Sequence, residues 1–336
     1  MTLAISGTTG ITLAGQFDSA STFGYRNRII NGLMATDQRN AGASQTFTAA
    51  AALAYSVDRW YGYCTGANVT GQQVAGSTTP SVTQFRYRFT GAASVTAVGF
   101  GQRIEQKNCY DMAGSTCTLS ADLAISATLT TVTWTASYAT TTADTFGSLA
   151  SPTVTQIATG TFTVSATVTN FTTNISVPAA ATTGIQIVFT VGALTAGLTW
   201  TIGNVQFEKG STATSFDYRP YGMELALCQR YYALITNTSS TGEHGFANGY
   251  QSSTTVGVFV VPTPVSMRTE PTITIANLAV SDQVVFNNAA TLSTVVATSN
   301  GSLISVTYTA AGAQYRPCVL VSRNTFIGQL TFAAEL

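Results

Sequence analysis

The sequence predicts an all-β chain: an N-terminal arm, an antiparallel β-sandwich, a short helical connector and a C-terminal β-sandwich domain. Three observations lead there. Apolar residues alternate with Thr, Ser or Gln in run after run, a period of two that buries one face of a strand and wets the other. Clusters of Gly, Pro, Asn and Asp recur about every ten residues between those runs, which is the spacing of an antiparallel sandwich. Helix signals are confined to one short segment, so the strand–helix alternation of a parallel sheet is missing.

Taken in order, residues 1–22 form a Gly/Thr/Ser-rich arm with a short apolar alternation, too small to fold alone. Residues 23–220 hold the sandwich, with strands expected over 81–89, 94–106, 116–126, 130–140, 160–177 and 184–192. Their β-branched excess suits a pleated surface. The one helical segment is MELALCQRYY (223–232), in which Leu225, Cys228 and Tyr232 fall at i, i+3 and i+7 and would line one face. Pro220 just before it and Glu224 in its first turn both suit a helix start. Strands resume over 254–261, 272–280, 302–310, 317–322 and 325–336, while Pro262, Pro264 and Pro271 break the sheet. Residues 221–336 thus form a helix-led β domain of about 115 residues, at the small end of self-sufficient size and easier to stabilise as an oligomer.

Composition narrows the function classes. Only 8% of the 336 residues are charged and the formal net charge is zero, which excludes the basic face a nucleic-acid binder needs to neutralise phosphates. With 45% hydrophobic and 10% aromatic residues the chain can bury a core, so low charge here does not mean disorder. No window approaches the ~20 apolar residues of a membrane span, so no membrane insertion is expected. The opening residues lack a basic region followed by a continuous apolar core, and no secretory signal is expected. The five cysteines (Cys64, Cys109, Cys117, Cys228, Cys318) are scattered without metal-ligand spacing. A local Cys109–Cys117 bridge is one reading and buried free thiols the favoured one. Such a chain is expected to be made in a reducing cytoplasm and to leave, if it acts outside a cell, by release of assembled particles.

Candidate chemistry is sparse. Cleaving a glycan needs two carboxylates flanking the bond. Asp37, Asp58, Asp111, Glu105, Glu208 and Asp217 are the candidates, and none has a distinctive setting. Asp58 and Arg59 read as an ion pair beside a core indole, Trp60, and Glu208 as the partner of an arginine such as Arg219. His244 stands in a Gly-rich loop without a Ser or Asp constellation. No catalytic residue, metal ligand or cofactor is therefore assigned, and a structural calcium held by backbone carbonyls plus an aspartate stays open. Sugar binding asks for aromatic faces beside amides and hydroxyls. Two stretches offer that mixture, 55–73 and 243–253. In the first, Trp60 and Tyr63 read as core. The second is expected to be a loop at the tip of a sandwich, where function is usually carried; it supplies the ligand-binding candidates His244, Phe246, Asn248, Tyr250 and Gln251. The helix supplies the oligomer-interface candidates Leu225, Leu227 and Tyr231.

Longer strings carry a resemblance. YRNRIINGLMATDQRNAG (25–42) followed by YSVDRWYGY (55–63), then FGQRIEQ (100–106), AGSTCTLSADLAI (113–125), GNVQFEKGSTATSFDYRPYGMELALCQRYY (203–232) and the terminal FAAEL resemble bacteriophage tail fibre and receptor-binding proteins whose jelly roll is similar to carbohydrate-binding modules. The block at 203–232 is the most specific part, and MTLAISGTTGITLAG is similar to the arms that attach such fibres to the particle. The resemblance implies a jelly roll for 23–220, a homotrimer, a C-terminal domain for oligomerisation or receptor contact, a place on the virion surface, attachment to other virion proteins through residues 1–22, and a host cell-surface polysaccharide as partner. A tail fibre or receptor-binding adhesin is the expected function; a purely structural head-decorating fibre, or a glycan-cleaving tailspike, is the alternative.

Overall fold

The fold follows from where the alternating runs find partners. The structure, a computed structural model, describes residues 3–6, 10–13, 25–49, 52–76, 84–126, 128–282, 286–287, 291–309, 312–323 and 325–336. The arm at 1–22 is described only in β1 (Leu3–Ser6) and β2 (Gly10–Leu13), an antiparallel pair; the rest of it lies outside the described residues, as do residues 81–83 of the strand expected over 81–89. The chain divides into two compact units, Met1–Tyr221 with Leu336, and Gly222–Glu335.

The first unit continues with β3 (Gln45–Phe47), β4 (Ala54–Tyr55), β5 (Tyr61–Thr65), β6 (Val69–Ala75), β7 (Phe85–Thr90) and β8 (Ala97–Ile104). After two 3-10 turns come β9 (Thr116–Ile125), β10 (Thr131–Ala139), β11 (Val154–Thr163), β12 (Thr169–Ser176), β13 (Ile185–Val191) and β14 (Thr199–Lys209). They make two six-stranded antiparallel sheets, ordered β11-β10-β13-β8-β5-β4 and β12-β9-β14-β7-β6-β3. This is the jelly-roll sandwich that the resemblance implies. Its core takes every second residue from both sheets, such as Val98 and Phe100 of β8, Leu119 and Leu123 of β9, Ile187 and Phe189 of β13, and Trp200 and Ile202 of β14. Trp60 stacks on Phe100 at 4.9 Å and Phe100 on Tyr87 at 4.9 Å, an aromatic pile through the middle.

Outside the core the alternation leaves threonines. On β10 and β11 the partners Thr131–Thr163, Thr133–Thr161 and Thr135–Thr159 stand side by side, the last pair 3.1 Å apart between hydroxyls. The strand expected over 160–177 is two strands in different sheets, because the chain crosses between them after Thr163.

The strings that carry the resemblance close the sandwich. Asn31 Nδ2 donates to the carbonyls of Thr36 (2.8 Å) and Asp58 (3.0 Å), and Trp60 Nε1 donates to the Asn31 carbonyl. Asn27 Nδ2 donates to the Val205 carbonyl, while its Oδ1 accepts from Phe207 N. Gly32 is needed at this crossing: a Cβ there would lie 2.1 Å from the Val205 carbonyl oxygen. The opening segment and β14 are thereby latched together.

The second unit carries α1 (Tyr221–Gln229), then β15 (Tyr232–Thr236), β16 (Gly245–Ser253), β17 (Val256–Pro262), β18 (Thr272–Ala276), β19 (Leu278–Ser281), β20 (Phe286–Asn287), β21 (Thr291–Thr298), β22 (Gly301–Thr307), β23 (Pro317–Ser322) and β24 (Gln329–Ala333). A three-stranded sheet, β15-β24-β18, and a seven-stranded one, β20-β19-β23-β16-β17-β22-β21, share a core of Phe259, Met267, Leu278, Ile304, Leu320 and Phe332 among others. The helix differs from expectation in its inner face. Glu224 and Cys228, one turn apart, are buried, while Leu225 is half-buried and Tyr232 begins a strand.

Candidate functional site

The outer face of the β5–β8–β13 layer carries the first unit's aromatic groove. Tyr61 and Tyr63 point outward from β5, opposite Gly101 and Gly99 of β8. The two glycines give the rings room to lie across the neighbouring strand: a Cβ on Gly99 would meet Tyr63 Cζ at 2.1 Å, and one on Gly101 would meet Tyr61 Oη at 2.7 Å. Beside them the Arg103 guanidinium sits 5.3 Å from the ring centres of both Tyr61 and Phe146. Its Nε donates to Gln186 Oε1 at 3.0 Å and its Nη2 to the Gly147 carbonyl at 2.9 Å, so the head group is held in place. Burial pushes the Tyr61 phenol far above its ordinary value, with Arg103 acting in the opposite sense, so Tyr61 stays neutral. Leu53, Leu149, Pro152 and Val188 complete a groove of about 190 Å³. Chemically it offers a half-exposed ring (Tyr63), apolar edges and the amide of Gln186.

The sequence candidates fall elsewhere. The expected tip loop at 242–253 is mostly strand β16, paired on both sides with β17 and β23, and pairing divides its residues between two faces. Asn248 and Tyr250 are exposed, Tyr250 by 51%. Phe246 packs against the second core. Gln251 is fully buried and donates through Nε2 to Asp282, which pairs with Arg316 at 2.9 Å, so it faces inward. His244 is half-buried, bound through its backbone to Ser322 and through Nε2 to the Thr241 carbonyl. The five candidates therefore do not converge on one site. Tyr231 is fully buried in the single chain and presents no surface to another copy, and Leu225 and Leu227 are half-buried.

Two further readings are corrected. Trp60 is core, but Tyr63 is not; it lies on the outer face of the groove. Glu208 is bonded not to Arg219 but to Thr214, accepting from its N at 2.9 Å and its Oγ1 at 2.6 Å, and to Gln206 Nε2 at 2.8 Å. Arg219 donates to the carbonyls of Ile29 and Asn27. Four of the other candidate carboxylates are also engaged: Asp58 accepts from Gln38 and Arg39, Asp111 pairs with Arg28 at 2.8 Å, Asp37 caps the turn at Asn40–Gly42, and Asp217 accepts from Asn27 N, while Glu105 is buried. All five cysteines are buried free thiols, so Cys109 and Cys117 are not bridged. Among the described residues no group of three or more His, Cys, Asp or Glu side chains is placed to hold a metal ion, and no helix is long and apolar enough to cross a membrane.

Sequence reasoning missed Gly99, Gly101, Arg103, Phe146 and Gln186. A signal was present in two alternations, Tyr-Gly-Tyr at 61–63 and Gly-Phe-Gly-Gln-Arg at 99–103, which place rings and glycines at matching period-two positions.

No family model and no curated protein matches the chain. Among solved structures it is similar to the enzymatically active domain of tailspike protein 4 of bacteriophage CBA120, at 16% identity and a TM-score of 0.35 over 55% of this chain and 22% of that one. It is similar also to a family 22 carbohydrate-binding module of Clostridium thermocellum Xyn10B (12% identity, TM-score 0.32, 48% of this chain and 91% of that one). The CBM22-2 xylan-binding domain of Paenibacillus barcinonensis Xyn10C is a third (13% identity, TM-score 0.30, 45% and 92%). The chain spans about a fifth of the tailspike chain it matches.

Proposed function

We propose that the chain is a non-enzymatic adhesin of a phage virion, a tail fibre or receptor-binding protein that holds a host-surface polysaccharide. The observation that carries the reading is the groove of Tyr61, Tyr63, Phe146 and Gln186 around the fixed Arg103. A sugar ring has an apolar face and a polar rim. Tyr63 matches the face, and the Gln186 amide, which accepts from Arg103 through Oε1 and keeps its N–H donors, matches the rim. The engagement of Asp37, Asp58, Asp111, Glu208 and Asp217 in local bonds supports binding without cleavage. The resemblance of 203–232 to tail fibre proteins supports the virion setting, in which residues 1–22 attach the chain to other virion proteins and three copies assemble after synthesis in the host cytoplasm.

The purely structural alternative draws on the second unit. There Val260, Leu303 and Val296 stand opposite one another on β17, β22 and β21, all exposed, as an uncharged stripe suited to covering by another protein surface. The test is binding of fluorescent full-length protein to host cells and to their extracted surface polysaccharide. Tyr63→Ala is expected to weaken both about tenfold, the loss of one stacking contact of ~1.4 kcal/mol. Equal binding by wild type and variant overturns the groove as the site, and binding by neither favours the structural role.

A further inference from the structure

The opposite face of the sandwich holds a second, unrelated pocket. It is a cavity of about 160 Å³ on the outer side of the other sheet, floored by Ser120 and Asp122 of β9, Asn170 of β12, and Asn204 and Gln206 of β14, and walled by Thr214, Ser215 and Phe216. The register between β14 and β9 shifts between Gly203 and Gln206, and Asn204 takes a left-handed φ of 45° within that bulge. Asn tolerates this conformation better than most residues, and the bulge re-aims its amide along the outer face.

The polar inventory of the pocket is unbalanced. Each oxygen of Asp122 accepts one hydrogen bond, from Asn170 Nδ2 at 2.9 Å and Asn204 Nδ2 at 2.7 Å. Gln206 Nε2 donates to Glu208 at 2.8 Å and Gln206 Oε1 accepts from Asp217 N at 2.7 Å. Two oxygens are left over. Ser120 Oγ and Asn204 Oδ1 are buried, on residues only 5% and 7% exposed, and neither makes a hydrogen bond within the protein. Orphaned buried polar atoms are uncommon because each is costly, and two of them lining one cavity ask for a common partner.

The chemistry of that partner follows from the walls. A cation could take the two orphaned oxygens, but the one carboxylate beside them already faces two amide N–H groups, which repel positive charge. An anion would meet Asp122. A hydroxyl both donates, as Asn204 Oδ1 requires, and accepts, as Ser120 Oγ–H allows. Phe216 adds an apolar wall for a ring. We propose that this pocket binds one neutral, hydroxyl-bearing sugar unit, its hydroxyl bridging Ser120 Oγ and Asn204 Oδ1 and its ring against Phe216, independently of the Tyr63 groove.

The experiment is saturation-transfer NMR and calorimetric titration of the full chain with glucose, galactose, mannose, N-acetylglucosamine and N-acetylgalactosamine, with calcium chloride as the competing probe. At least one sugar is expected to bind. Ser120→Ala, which removes an oxygen that bonds nothing in the protein, should leave thermal unfolding unchanged and weaken that sugar about tenfold. Phe216→Leu, which keeps the bulk but not the ring face, should weaken it about fivefold. Tyr63→Ala should leave it unaltered, so failure of the groove and failure of this pocket are told apart. The proposal is overturned by silence from all five sugars, by wild-type affinity in Ser120→Ala, by a signal that follows Tyr63→Ala instead, or by calcium binding that Ser120→Ala removes.

Discussion

Phe100 sits between Trp60 and Tyr87 in the aromatic pile, each ring centre 4.9 Å away. Phe100→Ala is expected to destabilise the first unit by about 3–5 kcal/mol, the range for emptying a packed aromatic site, read as the fall in urea midpoint. Gly99 has the opposite problem. Gly99→Val would drive a Cβ into the Tyr63 ring and should weaken polysaccharide binding about tenfold, as loss of that ring does, even if circular dichroism stays that of a β protein. Residues of this kind were partly legible. The indole of Trp60 sits in an alternating run and reads as core, whereas Tyr63, three positions on, falls on the other face by the same period of two, and the register of β5 against β8 seats it over Gly99. Gln251 was not legible at all, since an amide among glycines and serines looks exposed until a carboxylate from elsewhere, Asp282, meets it. Ser120 and Asn204 were hidden for a related reason: a missing partner cannot be read from a string of residues.

Elements were easier to read where burial alone decides them. The expected strands over 116–126, 130–140, 184–192 and 317–322 match β9, β10, β13 and β23 within a residue or so, because alternation there is strong on both faces. Strand β16 was read as a loop because its glycines and small polar residues carry no strand propensity; its strand state is imposed by β17 and β23. The turn after β14 was misread in its partner. Glu208 holds Thr214 by two hydrogen bonds, and that turn carries the Phe216 wall of the pocket. Glu208→Gln puts an amide where three donors already point and should cost about 1–3 kcal/mol in urea unfolding. The same change should raise the rate of proteolysis within 210–217, measured by limited digestion.

For the whole molecule, buried thiols set a pH limit. Burial pushes Cys109 up to about 12 and Cys117 and Cys318 up to about 11, from an ordinary value of 9.0. The unfolded chain therefore releases these protons first as pH rises, so their contribution is complete below about pH 9 and is lost between there and pH 11–12. The urea midpoint should fall between pH 8 and pH 11, and a level midpoint over that span would contradict the assignment. Assembly is tested at the same scale. If the uncharged stripe on β17, β22 and β21 joins copies, light scattering should report a trimer at micromolar concentration and Val260→Glu should reduce it to monomer. A monomeric wild type removes the trimer. The threonine pairs of β10 and β11 bear on a different quantity. A surface of hydroxyls with zero net charge projects almost no field, so nothing guides the protein toward a charged surface or repels it. Encounter should then proceed at the unsteered rate of about 10⁵–10⁶ M⁻¹s⁻¹ and change little between fresh water and brine. If the chain is the proposed adhesin, its residence on a glycan surface rests on slow departure, with several weak grips released one at a time.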